Sequence, residues 1–173
     1  GEGNYKNMDW YKFIIRENSP VYYGNVNASG GSENINYYFS LSHIDQSAAV
    51  HGFKFKRTNF QTNVEANITK KLKVGTRING RQETRDNVGV PGLDDYWQPY
   101  WAIYQNRPTE QAYANGNKNY PNHTHNDATG AAILDKKTTG YTEDIWRVGT
   151  INVYADYKLP LDGLSARAAY NYW

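Results

Sequence analysis

Cysteine is absent from the 173 residues, so neither a disulfide framework nor a thiolate metal site is available. That absence leaves the compartment open. No stretch of 18 apolar residues occurs, which excludes a transmembrane helix and leaves strands as the remaining way across a bilayer. Charge of one sign is lacking as well. The 19 Lys and Arg stand against 17 Asp and Glu, and a net +2 gives no footprint for nucleic acid. HExxH, P-loop and GxSxG patterns are missing. Glu65 and Glu83 have no evident partner acid. We therefore expect no enzyme, no catalytic residue, no resident metal and no cofactor. Apolar residues make up only 39%, against about 45–50% in a typical soluble domain.

Aromatic side chains are plentiful, with 16 Tyr and 5 Trp. Together with alternating strands they suit an outer-membrane barrel, wet inside and ringed by aromatics at its rims. They also suit a soluble carbohydrate-binding β-domain, where Tyr and Trp stack on sugars.

Residues 58–81 carry the clearest pattern. Phe60, Val64, Ala66 and Ile68 fall on one face of an extended strand, and Gln61, Asn63, Glu65 and Asn67 on the other. After Lys70 and Lys71 the alternation restarts, with Leu72, Val74 and Ile78 opposing Lys73, Arg77, Asn79 and Arg81. Two period-2 strands with almost no loop between them predict a tight hairpin.

The rest of the chain extends this theme. Residues 9–17 predict a short helix capped by Asp9, with Trp10, Phe13 and Ile14 on one side. Strands are expected over 22–30 and 34–46, joined at Gly30–Glu33, and over 143–158 and 164–172, joined by 159–163. Trp146 and Val148 are out of phase with Ile151, Val153, Ala155 and Tyr157, so we expect a bulge near Gly149. A long insertion, 87–142, holds the aromatic run DDYWQPYWAIYQNRP, where Asp95 and Gln98 could box a short helix. Residues 115–130 read as irregular loop. His123, His125 and Asp127 could touch a metal there, but a solvated polar loop explains them better.

Short turns alternate with long connections along the predicted meander. All the short ones therefore fall at one end, as in outer-membrane barrels. The strands also exceed the ~5–6 residues common in soluble sheets and reach the about 9–11 needed to cross a bilayer at a tilt. Six strands cannot close such a barrel, and an open edge in lipid is costly. No signal peptide opens the chain. We expect a part of a longer, exported protein.

The segment VNASGGSENINYYFSLSHIDQ resembles a strand–turn–strand signature of SusC/RagA-type TonB-dependent outer-membrane transporters. FKRTNFQTNVEANITKKLKVGTRINGR looks like the next hairpin of that family. DWYKFIIRENSP is similar to the lead from plug to barrel, and RPTEQAYANGN to a family loop. The resemblance implies an all-β antiparallel meander forming part of a transmembrane β-barrel, with short helices at the N-terminus and in the long external loop. Residues 1–20 would be a connector helix and 21–173 the partial barrel. It implies a bacterial outer-membrane location in contact with lipid. The expected partners are a SusD-like surface lipoprotein, TonB through other parts of the protein, and an oligosaccharide or peptide substrate.

Two groups of residues are candidates for function. Tyr96, Trp97, Tyr100, Trp101, Tyr104 and Arg107 lie in the longest loop, where aromatic faces could stack on substrate rings. Packing of the loop on itself is the plainer expectation for them. Glu65, Lys73, Arg77 and Arg81 should turn away from lipid, where each charge would cost about 2–4 kcal/mol at the midplane.

Overall fold

The computed structural model describes residues 7–89, 97–122, 132–161 and 163–173, with only the backbone for 97 and 98. Six antiparallel strands form one sheet in sequential order: β1 (Val21–Gly31), β2 (Ile35–Ser47), β3 (Lys54–Asn67), β4 (Leu72–Val88), β5 (Tyr141–Lys158) and β6 (Ser165–Tyr172). β1–β2 (32–34) and β3–β4 (68–71) are the shortest connections, whereas β2–β3 (48–53) and β5–β6 (159–164) are equal in length, so the expected contrast between those two does not form. Three short helices accompany the sheet: α1 (Trp10–Ile14), α2 (Trp97–Gln105) and α3 (Lys136–Thr139). The expected Asp95–Gln98 box, Tyr96, His123, His125 and Asp127 lie outside the described residues or side chains.

By contacts the chain divides into two compact units. One comprises residues 1–21, 46–55 and 85–144; the other comprises 22–45, 56–84 and 145–173.

The first unit holds an ordinary apolar core. Trp10, Ile14, Val50, Phe53, Val88, Ala102 and Ile133 are buried together. Asp9 caps α1 by accepting from the Lys12 backbone N–H at 3.0 Å, as the sequence suggests. The helix is shorter than expected because Ile15 leaves it to form a β-bridge with Val50. The Trp10 indole donates to the Arg107 carbonyl at 2.9 Å, which ties α1 to the end of the α2 segment. Gly52 sits at φ +82 in the 48–53 connection, and a Cβ there would strike Val88.

The second unit is different: its apolar residues are outside. Ile35, Phe39, Leu41, Phe60, Val64, Ile151 and Val153 are all exposed, and Ile68 is 59% exposed. A β-strand sends alternate side chains to opposite faces, and these residues, on β2, β3 and β5, share one face. The side chains that interlock lie on the other. On the apolar face aromatic rings settle over glycines of the next strand. A Cβ on Gly80 would meet the Phe60 ring at 2.7 Å, and one on Gly30 would meet Tyr37.

The predicted bulge near Gly149 does not form. Lys158 donates its N–H to Lys71, the Tyr154 ring lies at Gly75, Asn79 bonds Thr150, and Arg147 bonds Gln82. Each step along β5 is matched by an equal step along β4, so no extra residue is inserted. Trp146 and Val148 consequently share the polar face with Thr150 and Tyr154. The sequence suggested a bulge because it assumed those two apolar groups had to follow Ile151. The regular ladder of backbone hydrogen bonds overrides that preference.

Candidate functional site

The polar face of the second unit carries a connected cluster of side chains. Glu65 on β3 pairs with Lys73 on β4 at 2.8 Å. The Tyr154 hydroxyl, on β5, donates to the other Glu65 oxygen at 2.6 Å. β4 lies between β3 and β5, so the phenol ring must cross it. Gly75 permits the crossing: a Cβ there would stand 2.2 Å from the Tyr154 ring. Arg77 lies over that ring at 5.6 Å and Arg167 at 5.0 Å, a cation–π arrangement. Arg167 also grips Asp156 with two parallel bonds of 2.5 and 2.7 Å, the fork geometry that favours arginine at such sites. Further along the face, Glu83 faces Arg57 at 3.8 Å and Arg81 at 3.5 Å.

β1 and β2 present a different surface there. Asn25, Asn27 and Tyr38 are joined by hydrogen bonds and carry no charge. The polar face thus has an amide and phenol side and an ion-paired side. Near the 68–71 turn, an open basin of about 810 Å³ is bordered by Lys70, Lys71, Lys73, Lys158 and Arg167, with Asp156 as its acid.

The loop aromatics divide. Trp101 is half-buried and packs against the apolar core of the first unit. Pro99 and Ala102 of the same helix are buried. Tyr100 and Tyr104, one helical turn apart, are exposed, Tyr104 by 83%. Arg107 is exposed, and Glu110 accepts from its backbone N–H. α2 therefore presents an inward face and an outward one, and among the described side chains Trp101 turns away from Tyr100 and Tyr104. Trp101→Ala should destabilise the first unit by about 3–5 kcal/mol if it were a full core truncation; half-burial places the expected loss near 2 kcal/mol. Tyr104→Ala should leave stability within about 0.5 kcal/mol. Limited proteolysis of the 89–140 region in the two variants checks the contrast.

Among the described residues no group of three His, Asp or Glu is placed to hold a metal ion. Glu65, Lys73, Arg77 and Arg81 were expected on this face. Alternation also puts Tyr154, Asp156 and Arg167 on the polar side of their strands, but they were not singled out as members of the cluster. The signal available for them was the small residue at position 75, opposite a tyrosine two strands from a glutamate.

Comparison with known proteins bears on what such a face encloses. No family model matches the chain. TonB-dependent receptor P26 of Formosa agariphila is 33% identical over 75 residues, which are 43% of this chain and 8% of that protein. TonB-dependent receptor P3 of the same organism is 34% identical over 84 residues, 49% of this chain and again 8% of that protein. The RagAB peptide importer in its closed-closed state superposes on 94% of the chain with a TM-score of 0.66 at 22% identity. A second structure of the RagAB peptide transporter covers 95% with a TM-score of 0.68 at 21% identity.

The chain shares its fold with the barrels of these transporters and, over nearly half its length, its sequence with TonB-dependent receptors. It spans 18% of the length of the solved chains it matches. In a barrel of that fold the exposed apolar face would be the outer one and the ion-paired face would line the bore. The apolar band runs from Phe60 on β3 to Ile68, just past its end, and from Leu72 to Gly80 on β4. At about 3.4 Å per residue and a tilt of about 40°, such a band stands roughly 21 Å high, close to the ~25 Å of outer-membrane barrels. Above it the same outer face turns polar. His43 meets Thr58 at 2.8 Å, Lys56 meets Asp45 at 3.2 Å, and Arg147 meets Gln82 at 2.9 Å.

Proposed function

We propose that this stretch of receptor barrel forms part of the passage of an outer-membrane importer for oligosaccharides or peptides. The full protein would work with a SusD-like surface lipoprotein and draw energy through TonB contacts made by its other parts. Residues 1–20 would lead into the barrel and 21–173 would form its wall. The observation that carries the reading is the partition of the sheet: Phe60, Val64, Ile68 and Val153 exposed on one face, Glu65, Lys73, Tyr154, Asp156 and Arg167 bonded together on the other. Hydrocarbon on the first side and water on the second give each face a solvent it tolerates. A soluble carbohydrate-binding domain would leave that apolar face in water, where patches of this extent do not persist in monomers.

The relatives point the same way. The two solved assemblies are described as a peptide importer and a peptide transporter, and the sequence relatives are named as TonB-dependent receptors. Tyr100, Tyr104 and Arg107, the outward residues of the α2 segment, are the part of the loop we assign to substrate contact, with Tyr96 and Trp97 as neighbours in sequence.

The test uses the full-length receptor. It should fractionate with the outer membrane and copurify with a surface lipoprotein from detergent extracts. Cells lacking it should lose growth on at least one oligosaccharide or peptide source. A receptor found in the soluble fraction would overturn the reading. Tyr100→Ala combined with Tyr104→Ala should reduce uptake without reducing the amount of assembled barrel. Undiminished uptake would end the role assigned to the loop aromatics.

A further inference from the structure

Three observations on the bore face converge on Arg77. Both carboxylates of the central cluster already hold a cation, Glu65 with Lys73 and Asp156 with Arg167. Arg77 has no ion pair or hydrogen bond among the described residues. Its guanidinium rests over the Tyr154 ring, and that ring is fixed by its bond to Glu65 and by Arg167. A stacked guanidinium is held in place while its N–H fork stays free for a planar anion.

The second observation is directly across the strand. Asn34 with Asn67 and Ser42 with Asn59 set the β2–β3 register, and Ile68 with Leu72 and Phe60 with Gly80 set that of β3 and β4. The same register places Tyr38, Asn63 and Arg77 in one row. Asn63 Oδ1 is buried and accepts no hydrogen bond. A buried acceptor without a donor is costly and uncommon. The third observation is the space between them, a depression of about 250 Å³ lined on the bore side by Asn36, Tyr38, Asn63, Glu65, Arg77 and Tyr154. Tyr38 is steadied there by donating to Asn27 at 3.2 Å.

We propose that this depression is a carboxylate subsite on the bore wall, taking the acidic or C-terminal residue of a peptide. The carboxylate pairs with the Arg77 fork. Asn63 borders the subsite, and the Tyr38 ring bounds the side chain. A neutral sugar offers hydroxyls to Asn63 but leaves Arg77 unpaired, so an anionic amide is the better complement. The lysines of the 68–71 turn differ from Arg77 in that no stacking partner holds them. The inference rests on the transporter reading, because it requires the polar face to meet passing solute.

The experiment uses purified full-length receptor in detergent, titrated with N-acetylglutamate and with N-acetylglutamine. Saturation-transfer NMR and calorimetry read the binding. We expect the acid to bind about tenfold more tightly than the amide, the weight of one charge-assisted contact. Arg77→Gln should abolish that preference, and Arg77→Lys should retain part of it. Arg81→Gln, whose partner is Glu83, should leave the preference intact. Equal binding of the two probes by the unaltered receptor, or a preference that survives Arg77→Gln, overturns the proposal. So does a third result, in which Arg77→Gln lowers the melting temperature or opens a leak to bulky antibiotics while the unaltered receptor shows no preference. The partner of Arg77 would then be a carboxylate elsewhere in the same protein. Membrane fractionation is read separately: absence of the receptor from the outer membrane sinks the transporter reading, whereas a missing preference in a receptor that is present there sinks the subsite alone.

Discussion

Val64→Arg in the full-length receptor should sharply reduce the amount assembled in the outer membrane, whereas Gln61→Arg should assemble near the normal level. Val64 lies midway along the apolar band between Phe60 and Ile68, on the exposed face. An arginine there meets hydrocarbon at about the depth where its cost peaks, about 2–4 kcal/mol. That is roughly a 30- to 700-fold shift in the folding equilibrium, and it comes with no compensating partner on that face. Gln61 is three residues away on the same strand but points to the bore, where Arg57, Arg77 and Arg81 already stand. The measurement is heat-modifiability on gels together with surface labelling of intact cells. Similar assembly of the two variants would mean that the two faces do not meet different solvents.

Gly75→Val should be the most damaging conservative change on the bore face. A Cβ at this position stands 2.2 Å from the Tyr154 ring, so the ring must leave its path across β4. The overpacking alone costs about 1–3 kcal/mol. The ring cannot move without breaking the bond from its hydroxyl to Glu65 and withdrawing the surface on which Arg77 and Arg167 rest. The companion change Tyr154→Ser removes the obstacle. The double variant should therefore be more stable than Gly75→Val alone, a coupling that a double-mutant cycle in denaturant reads directly. Additive effects would show that the glycine matters for its backbone rather than for the ring above it. Gly75 adopts no positive φ in this structure, which favours the ring.

Much of the architecture was legible before any coordinates. The hairpin at 58–81, the strands on either side, the Asp9 cap and the long connection before β5 all follow from period-2 alternation and turn chemistry. These are local signals: each strand displays its two environments in its own residues. The outward direction of the apolar face was also predicted, because charges such as Lys73 and Arg77 can be hidden from lipid in just one way. Where local pattern and ladder disagreed, the ladder won. Trp146 and Val148 read as outward residues displaced by a bulge, yet the unbroken register from Lys158 to Arg147 sends them to the bore.

The loop aromatics show the same limit from another side. Trp101 and Tyr104 look alike in sequence, three positions apart in one aromatic run. The helix α2 turns one into the apolar core and the other to solvent, a choice made by what lies against the helix.

The sequence by itself determined the strands, their two faces and the kind of solvent each face needs, since alternation is written within a few consecutive residues. The tertiary structure alone decided which side chains meet: Tyr154 crossing Gly75 to reach Glu65, Arg167 closing on Asp156, Arg77 left without a carboxylate opposite Asn63. Those contacts join residues as far apart as Glu65 and Tyr154. They depend on the register between strands, which is fixed by hydrogen bonding and packing across the whole sheet rather than by any one segment.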